Sequence, residues 1–289
     1  MPDDQNRQAE PKRVNRKTPR KPKNRLVKAY LDEDFLLSSK ARLVRIMAEY
    51  LEPESRFENL RISDTIVMYG SARIPSREDA EKRLAEVREA GGDTTEAEEW
   101  LSMSRYYEDA RELANRLTTW SKGLDDNRRR FLVCTGGGPG IMEAANRGAS
   151  EAKGLNMGLN ISLPFEQHEN PYVTRQLLFE FHYFFMRKFW FVYLAKAIIC
   201  FPGGMGTLDE FFELLTLAQT HKLKKRIPIV LFGASFWDQV LNFDALVRHR
   251  MIDAADLDLF LKTDSVDEAF EHVTRQLEEH AMQRPGWSL

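Results

Sequence analysis

Glu210 is a carboxylate placed where the surrounding residues are built to receive an anion. Ala197 to Phe201 is an unbroken apolar run rich in β-formers, which predicts a buried strand. Pro202-Gly203-Gly204-Met205-Gly206 then turns the chain, and Leu208 to His221 carries apolar residues at helical spacing. A glycine turn lets backbone N–H groups approach a phosphate, and the new helix adds unpaired donors and the positive end of its dipole. Thr207 sits where its hydroxyl can cap that helix or donate to the same anion. Glu210 follows one turn inside. A carboxylate repels phosphate, so its position predicts chemistry on a group attached to the phosphate rather than a phosphate grip alone.

Two further strand-to-turn junctions have donors of the same kind. Arg130 to Thr135 runs into Gly136-Gly137-Gly138-Pro139-Gly140, followed by Ile141-Met142-Glu143. The dinucleotide fingerprint fails there, because Ile141 stands at its sixth position and no acidic residue closes the next strand. Tight helix packing explains one such glycine but not four in five positions, so a nucleotide-binding role is expected. Thr65 to Tyr69 is followed by Gly70-Ser71-Ala72-Arg73, where Ser71 could donate to a phosphate and Arg73 could pair with one. The aromatic helix His182 to Lys196 contains adjacent Arg187 and Lys188. These form either a charged surface stripe or a face turned to the ligand beside Glu210. His182 reads as a cap or packing residue.

The elements that must position these residues alternate. Strands are expected at Thr65–Tyr69, Arg130–Thr135, Met157–Leu163, Leu177–Phe181, Ala197–Phe201, Pro228–Phe232 and within Asp256–Thr263. Helices are expected between them, including Phe236–Arg248 and Val266–His280. The pattern predicts an α/β fold: a Rossmann-like, doubly wound parallel sheet with helices on both faces and a helical N-terminal extension. Two additions stand out. One is a helix over 34–51, with Ser38 and Ser39 as a break and Pro53 as its end, serving as a cap on the main domain or an oligomer contact. The other is a hairpin over 77–122, with one helix to Ala90 and a second from Thr95, capped by a Thr95–Glu98 box.

Residues 1–27 read as a disordered basic tail, with ten Lys or Arg between Arg7 and Lys28, and 28–289 as a single domain. The tail contacts nucleic acid weakly at most. The net charge of -2 argues against a polyanion binder. No apolar run approaches the ~18–20 residues of a membrane helix, and no signal core is present, so a cytoplasmic protein is expected. Cys134 and Cys200 lie in buried strands and make no zinc site, so no metal is expected.

Gly136-Gly137-Gly138-Pro139-Gly140-Ile141-Met142, together with Pro202-Gly203-Gly204-Met205-Gly206-Thr207-Leu208-Asp209-Glu210, resembles the LOG ("Lonely Guy") family over about residues 60–265. That family's members hydrolyse the N-glycosidic bond of nucleoside 5′-monophosphates, AMP or cytokinin ribotides, to free base and ribose 5-phosphate; they have also been called lysine decarboxylases. The resemblance implies Arg187 and Glu210 as catalytic residues, at the family's own 23-residue offset. It implies Gly203, Gly204, Gly206, Thr207, Ser71 and Gly137 as phosphate-binding, with Gly70, Lys188 and Glu143 as further substrate contacts. It implies a homodimer or higher oligomer and no cofactor. A decarboxylase would need pyridoxal phosphate on a lysine, and nothing marks Lys153, Lys188 or Lys196 as that partner. The long hairpin and basic tail resemble the larger bacterial branch, so a cytokinin substrate does not follow. The alternative from another class is a non-catalytic nucleotide or molybdenum-cofactor carrier of the same fold.

Overall fold

The computed structural model describes residues 26–124, 128–162 and 170–282. The basic tail up to Arg25, and the end of the third expected strand with Pro164-Phe165-Glu166, lie outside the described residues. The chain divides into two compact units, Met1–Arg45 and Ile46–Leu289.

The described residues of the first unit are a run of short helical turns. Asp32 caps helix α1 (Glu33–Leu36) by accepting the Phe35 N–H at 3.1 Å. Arg45 Nη1 donates to the carbonyls of Leu36 and Ser38, at 2.6 and 2.7 Å, so the break expected at Ser38–Ser39 is held by an arginine.

Helix α2 (Arg42–Asn59), in the second unit from Ile46 onward, does not stop at Pro53 but runs six residues past it. Proline removes the N–H that would bond the carbonyl of residue 49. The freed Glu49 carbonyl accepts the Trp190 indole N–H at 3.0 Å instead. Strand β1 (Thr65–Tyr69) is followed by α3 (Arg77–Glu89), α4 (Thr95–Met103) and α5 (Arg105–Lys122). The hairpin thus has three helices, not two, with Ser104 between the last pair and its Oγ donating to Leu101 O at 2.7 Å. Thr94, not Thr95, is the N-cap of α4, and its hydroxyl bonds Glu98 at 3.1 Å.

Strand β2 (Leu132–Thr135), α6 (Ile141–Glu151), β3 (Asn156–Ile161) and β4 (Leu178–Phe181) come next. They are followed by α7 (Phe184–Leu194), β5 (Ala195–Cys200), α8 (Met205–Gln219) and β6 (Ile229–Phe232). The expected helix 236–248 is two, α9 (Ala234–Val240) and α10 (Phe243–Arg248), before β7 (Leu261–Thr263) and α11 (Val266–His280).

The seven strands form one parallel sheet in the order β4-β3-β2-β1-β5-β6-β7. The fold is therefore α/β and Rossmann-like, with the expected parallel sheet. The direction of winding reverses between β1 and β5, and such a switch point opens a crevice at the carboxyl ends of the strands. Strand β1 feeds both faces by its two-residue period. Val67 and Tyr69 join the layer with Trp190, Phe191, Phe211 and Trp237, while Ile66 and Met68 join Tyr107, Leu113, Ile141 and Val273. No helix among the described residues is long and apolar enough to cross a membrane.

Candidate active site

A cavity of about 900 Å³ lies at the switch point, at the carboxyl ends of the strands. Three loops make its floor. Ser71 N–H donates to the Pro202 carbonyl at 2.9 Å, and the Ser71 carbonyl accepts the Ile141 N–H at 3.0 Å, so the turns after β1, β2 and β5 are tied together. Gly140, at φ +70°, is required by this tie: a Cβ there would sit 2.3 Å from Ser71 O.

Helix α8 starts at Met205 with Gly204 as N-cap and no side-chain cap. The first α-helical bond is Leu208 N–H to Gly204 O at 3.0 Å, so the N–H groups of Met205, Gly206 and Thr207 have no intrahelical partner. Of the two roles expected for Thr207, capping is overturned, because Gly204 is the N-cap and Thr207 is the third helical residue. The glycines of the turn differ in kind. A Cβ on Gly203 would lie 2.2 Å from Thr207 Oγ1, whereas one on Gly204 or Gly206 would meet no described heavy atom within 4 Å. The protein's own packing requires Gly203 alone; Gly204 and Gly206 leave the helix N-terminus open to the cavity.

Arg187 on α7 and Glu210 on α8 meet there. Arg187 Nη2 donates to Glu210 Oε1 at 2.9 Å, with side chains 13% and 11% exposed. Arg187 is flanked by Phe184 and Phe191, each ring centre 5.4 Å from its guanidinium carbon. Its Nε is buried and has no partner among the described residues. Burial pushes the Glu210 carboxyl up to about 7, against the opposing pull of Arg187 and Lys188. Tyr69 lines the same cavity, and burial, then the Glu210 charge, raises its hydroxyl well above the ordinary value. Burial and the Glu210 charge likewise raise the thiols of Cys134 and Cys200, leaving them protonated and inert.

Of the residues expected from sequence, Arg187, Glu210, Gly203, Gly204, Gly206, Thr207, Ser71 and Gly70 all line this cavity. Three do not. Gly137 (φ +71°) packs its α-carbon against Gly158 on β3, and its N–H is taken up by Thr135 Oγ1 at 2.9 Å. Lys188 bridges Asp209 and Glu213 at 2.6 and 3.1 Å, outside the cavity lining. Glu143 accepts the Tyr107 hydroxyl at 2.8 Å and faces α5. Sequence reading missed Tyr69, Asn160, Phe184, Trp100 and Met103, all of which line the cavity. Tyr69 had a signal, being the last residue of a strand before a small-residue turn. Trp100 and Met103 had none, since only the folded hairpin brings α4 to the cavity.

The fold and this site define an α/β protein whose switch-point crevice pairs an open helix N-terminus with a buried Arg–Glu pair. Residues 142–273 match the family model described as "Possible lysine decarboxylase", and the resemblance to the LOG family is borne out on that match. The chain is 31% identical over 115 residues to "Pyrimidine/purine nucleotide 5'-monophosphate nucleosidase" of Escherichia coli (strain K12), across 36% of this chain and 25% of that protein. It is 30% identical over 80 residues to "Probable cytokinin riboside 5'-monophosphate phosphoribohydrolase LOG4" of Oryza sativa subsp. japonica, covering 28% and 35% respectively. The chain thus spans about a quarter to a third of the length of these relatives. Among solved structures, a molybdenum-cofactor carrier protein from Chlamydomonas reinhardtii aligns over 75% of this chain and 98% of its own, at 20% identity and a TM-score of 0.44.

Proposed function

We propose that this protein hydrolyses the N-glycosidic bond of a nucleoside 5′-monophosphate, releasing the free base and ribose 5-phosphate. The observation that carries the reading is the Arg187–Glu210 pair, closed at 2.9 Å beside the open N-terminus of α8. Cleavage of an N-glycosidic bond develops positive charge on the ribose. Glu210, when ionised, stabilises that charge, orients the ribose hydroxyls or activates water. Arg187 holds the carboxylate in one orientation, with the Phe184 and Phe191 rings against its own guanidinium. The N–H groups of residues 205–207 and the Ser71 hydroxyl receive the 5′-phosphate. Binding energy at that end then positions the bond at the other.

Two neighbouring readings fit less well. A carrier of the same fold would use the anion cradle but would not need a buried Arg–Glu pair inside it. A pyridoxal-dependent decarboxylase would need a lysine in the cavity, and the described lining residues include none. Lys196 sits 3.6 Å from Asp64, which immediately precedes β1 at the opposite end of the strands from the cavity, and Lys188 is bridged as described above.

The test is a base-release assay on purified protein with AMP, GMP, CMP, UMP and an N6-alkylated AMP, following free base and ribose 5-phosphate together. Stoichiometric appearance of both from at least one nucleotide supports the proposal. Binding of these nucleotides with no base released from any of them overturns it.

A further inference from the structure

The cavity is longer than a mononucleotide needs. Its lining runs from Asn160 on β3, past the turns after β2, β1 and β5, to Phe236 and Val240 on the helix after β6. That is four strand spacings, or about 19 Å at ~4.8 Å each. The Arg187–Glu210 pair occupies one part of this length. The Glu210 charge acts on Tyr69 of β1, Cys134 of β2 and Cys200 of β5, and a Cβ on Gly136 would lie 4.0 Å from Arg187 Nη1. With its phosphate at the α8 N-terminus and its ribose at Glu210, a nucleotide extends over β1 and β2, away from β6.

The β6 end has a different character. Its lining joins Trp100 and Met103 of α4, and Ile74 and exposed Arg73 of the segment after β1, to Phe236 and Val240 of α9; Arg105, two residues past Met103, donates to Ser235 Oγ at 2.8 Å and so brings the end of α4 beside α9. The Trp100 indole is held by a bond from Nε1 to Glu96 at 3.2 Å. An aromatic and aliphatic lobe with an exposed arginine two residues from Ser71 matches a flat ring joined through a second phosphate.

We propose that this lobe takes the second half of a pyrophosphate-bridged nucleotide, with Arg73 facing the second phosphate and Trp100 against the second ring. The inference rests on the nucleotide orientation given under the proposed function. Its consequence is that the site prefers a dinucleotide over a mononucleotide, although the sequence lacks the usual dinucleotide fingerprint.

Calorimetric titration of the full chain with AMP and with P1,P2-di(adenosine-5′) diphosphate tests this. The dinucleotide is expected to bind on the order of tenfold more tightly than AMP. Trp100→Ala, and independently Val240→Glu at a partly exposed position, should each remove that gain and leave AMP affinity unchanged. Equal affinity for the two ligands overturns the inference, as do variants that weaken AMP as much as the dinucleotide. Failure of base release from every nucleotide of the panel would instead count against the proposed hydrolysis, and the affinity ratio is read independently of it.

Discussion

At the scale of single residues, the proposed chemistry falls to Glu210. Its carboxyl is buried enough to sit at about 7 while paired with Arg187. The proposed reaction needs the ionised form, because only a carboxylate stabilises a developing oxocarbenium charge. At nucleotide concentrations well below KM, kcat/KM for base release is therefore expected to rise through pH about 7 and level off above it, falling about tenfold per unit on the acid side. A profile that is flat from pH 5.5 to 8.5 would contradict this assignment. The pair itself was legible as a motif: the glycine turn, Thr207 and Glu210 mark an anion site with an acid in it, and Arg187 precedes at a fixed offset. What the motif could not separate was cavity from packing. Gly137 and Gly140 look alike in the sequence, yet one is spent against Gly158 and the other lets the loops close. Lys188 adjoins Arg187 but bridges two acids on α8, because neighbours on a helix point about 100° apart.

At the scale of elements, the α8 N-terminus and the α2–α7 contact each make a separable prediction. Gly203→Ala drives a methyl into Thr207, so it should lower thermal stability as well as activity. Gly204→Ala meets open space and φ there is -96°, so the fold should keep its melting temperature while AMP binding weakens. Differential scanning fluorimetry with and without AMP reads both effects. Equal destabilisation by the two would refute the distinction. In α2, Trp190→Phe leaves the Glu49 carbonyl without its indole donor beside Pro53, at a cost of about 1–2 kcal/mol in urea unfolding. Pro53 shows why that helix was misjudged from sequence. The rule that proline ends a helix assumes the freed carbonyl has nowhere to go, and here a tryptophan 141 residues away supplies the donor. Strand existence and order of alternation were legible because parallel strands are apolar on both faces. The break at Ser104 and the split of 236–248 were not, since neither is marked by proline or glycine.

At the scale of the whole molecule, the two ends of the sheet do different work. The carboxyl ends hold the cavity; the opposite end holds a buried charge cluster. Arg130 Nε donates to Asp64 Oδ2 at 2.6 Å, and both side chains are almost fully buried. The same guanidinium donates to the carbonyls of Ala281 and Met282, at 2.7 and 2.9 Å, clamping the end of α11 to the sheet. Lys196 approaches the other Asp64 oxygen at 3.6 Å. Asp64→Ala leaves two buried cations without that carboxylate, so unfolding free energy should drop by about 3–5 kcal/mol. A loss below about 1 kcal/mol would mean the cluster is not a structural anchor. Sequence periodicity placed Arg130 in a strand but gave no hint of this role, because its partners lie 66 and 151 residues away.

The central claim is that the Arg187–Glu210 pair acts on a nucleotide whose phosphate rests on α8. The most direct measurement compares wild type with Glu210→Ala for two readouts on the same preparation: AMP affinity by titration, and adenine release by chromatography. AMP affinity within a few-fold of wild type and adenine release reduced by at least ~10² are expected. Adenine release at wild-type rate from Glu210→Ala would contradict it.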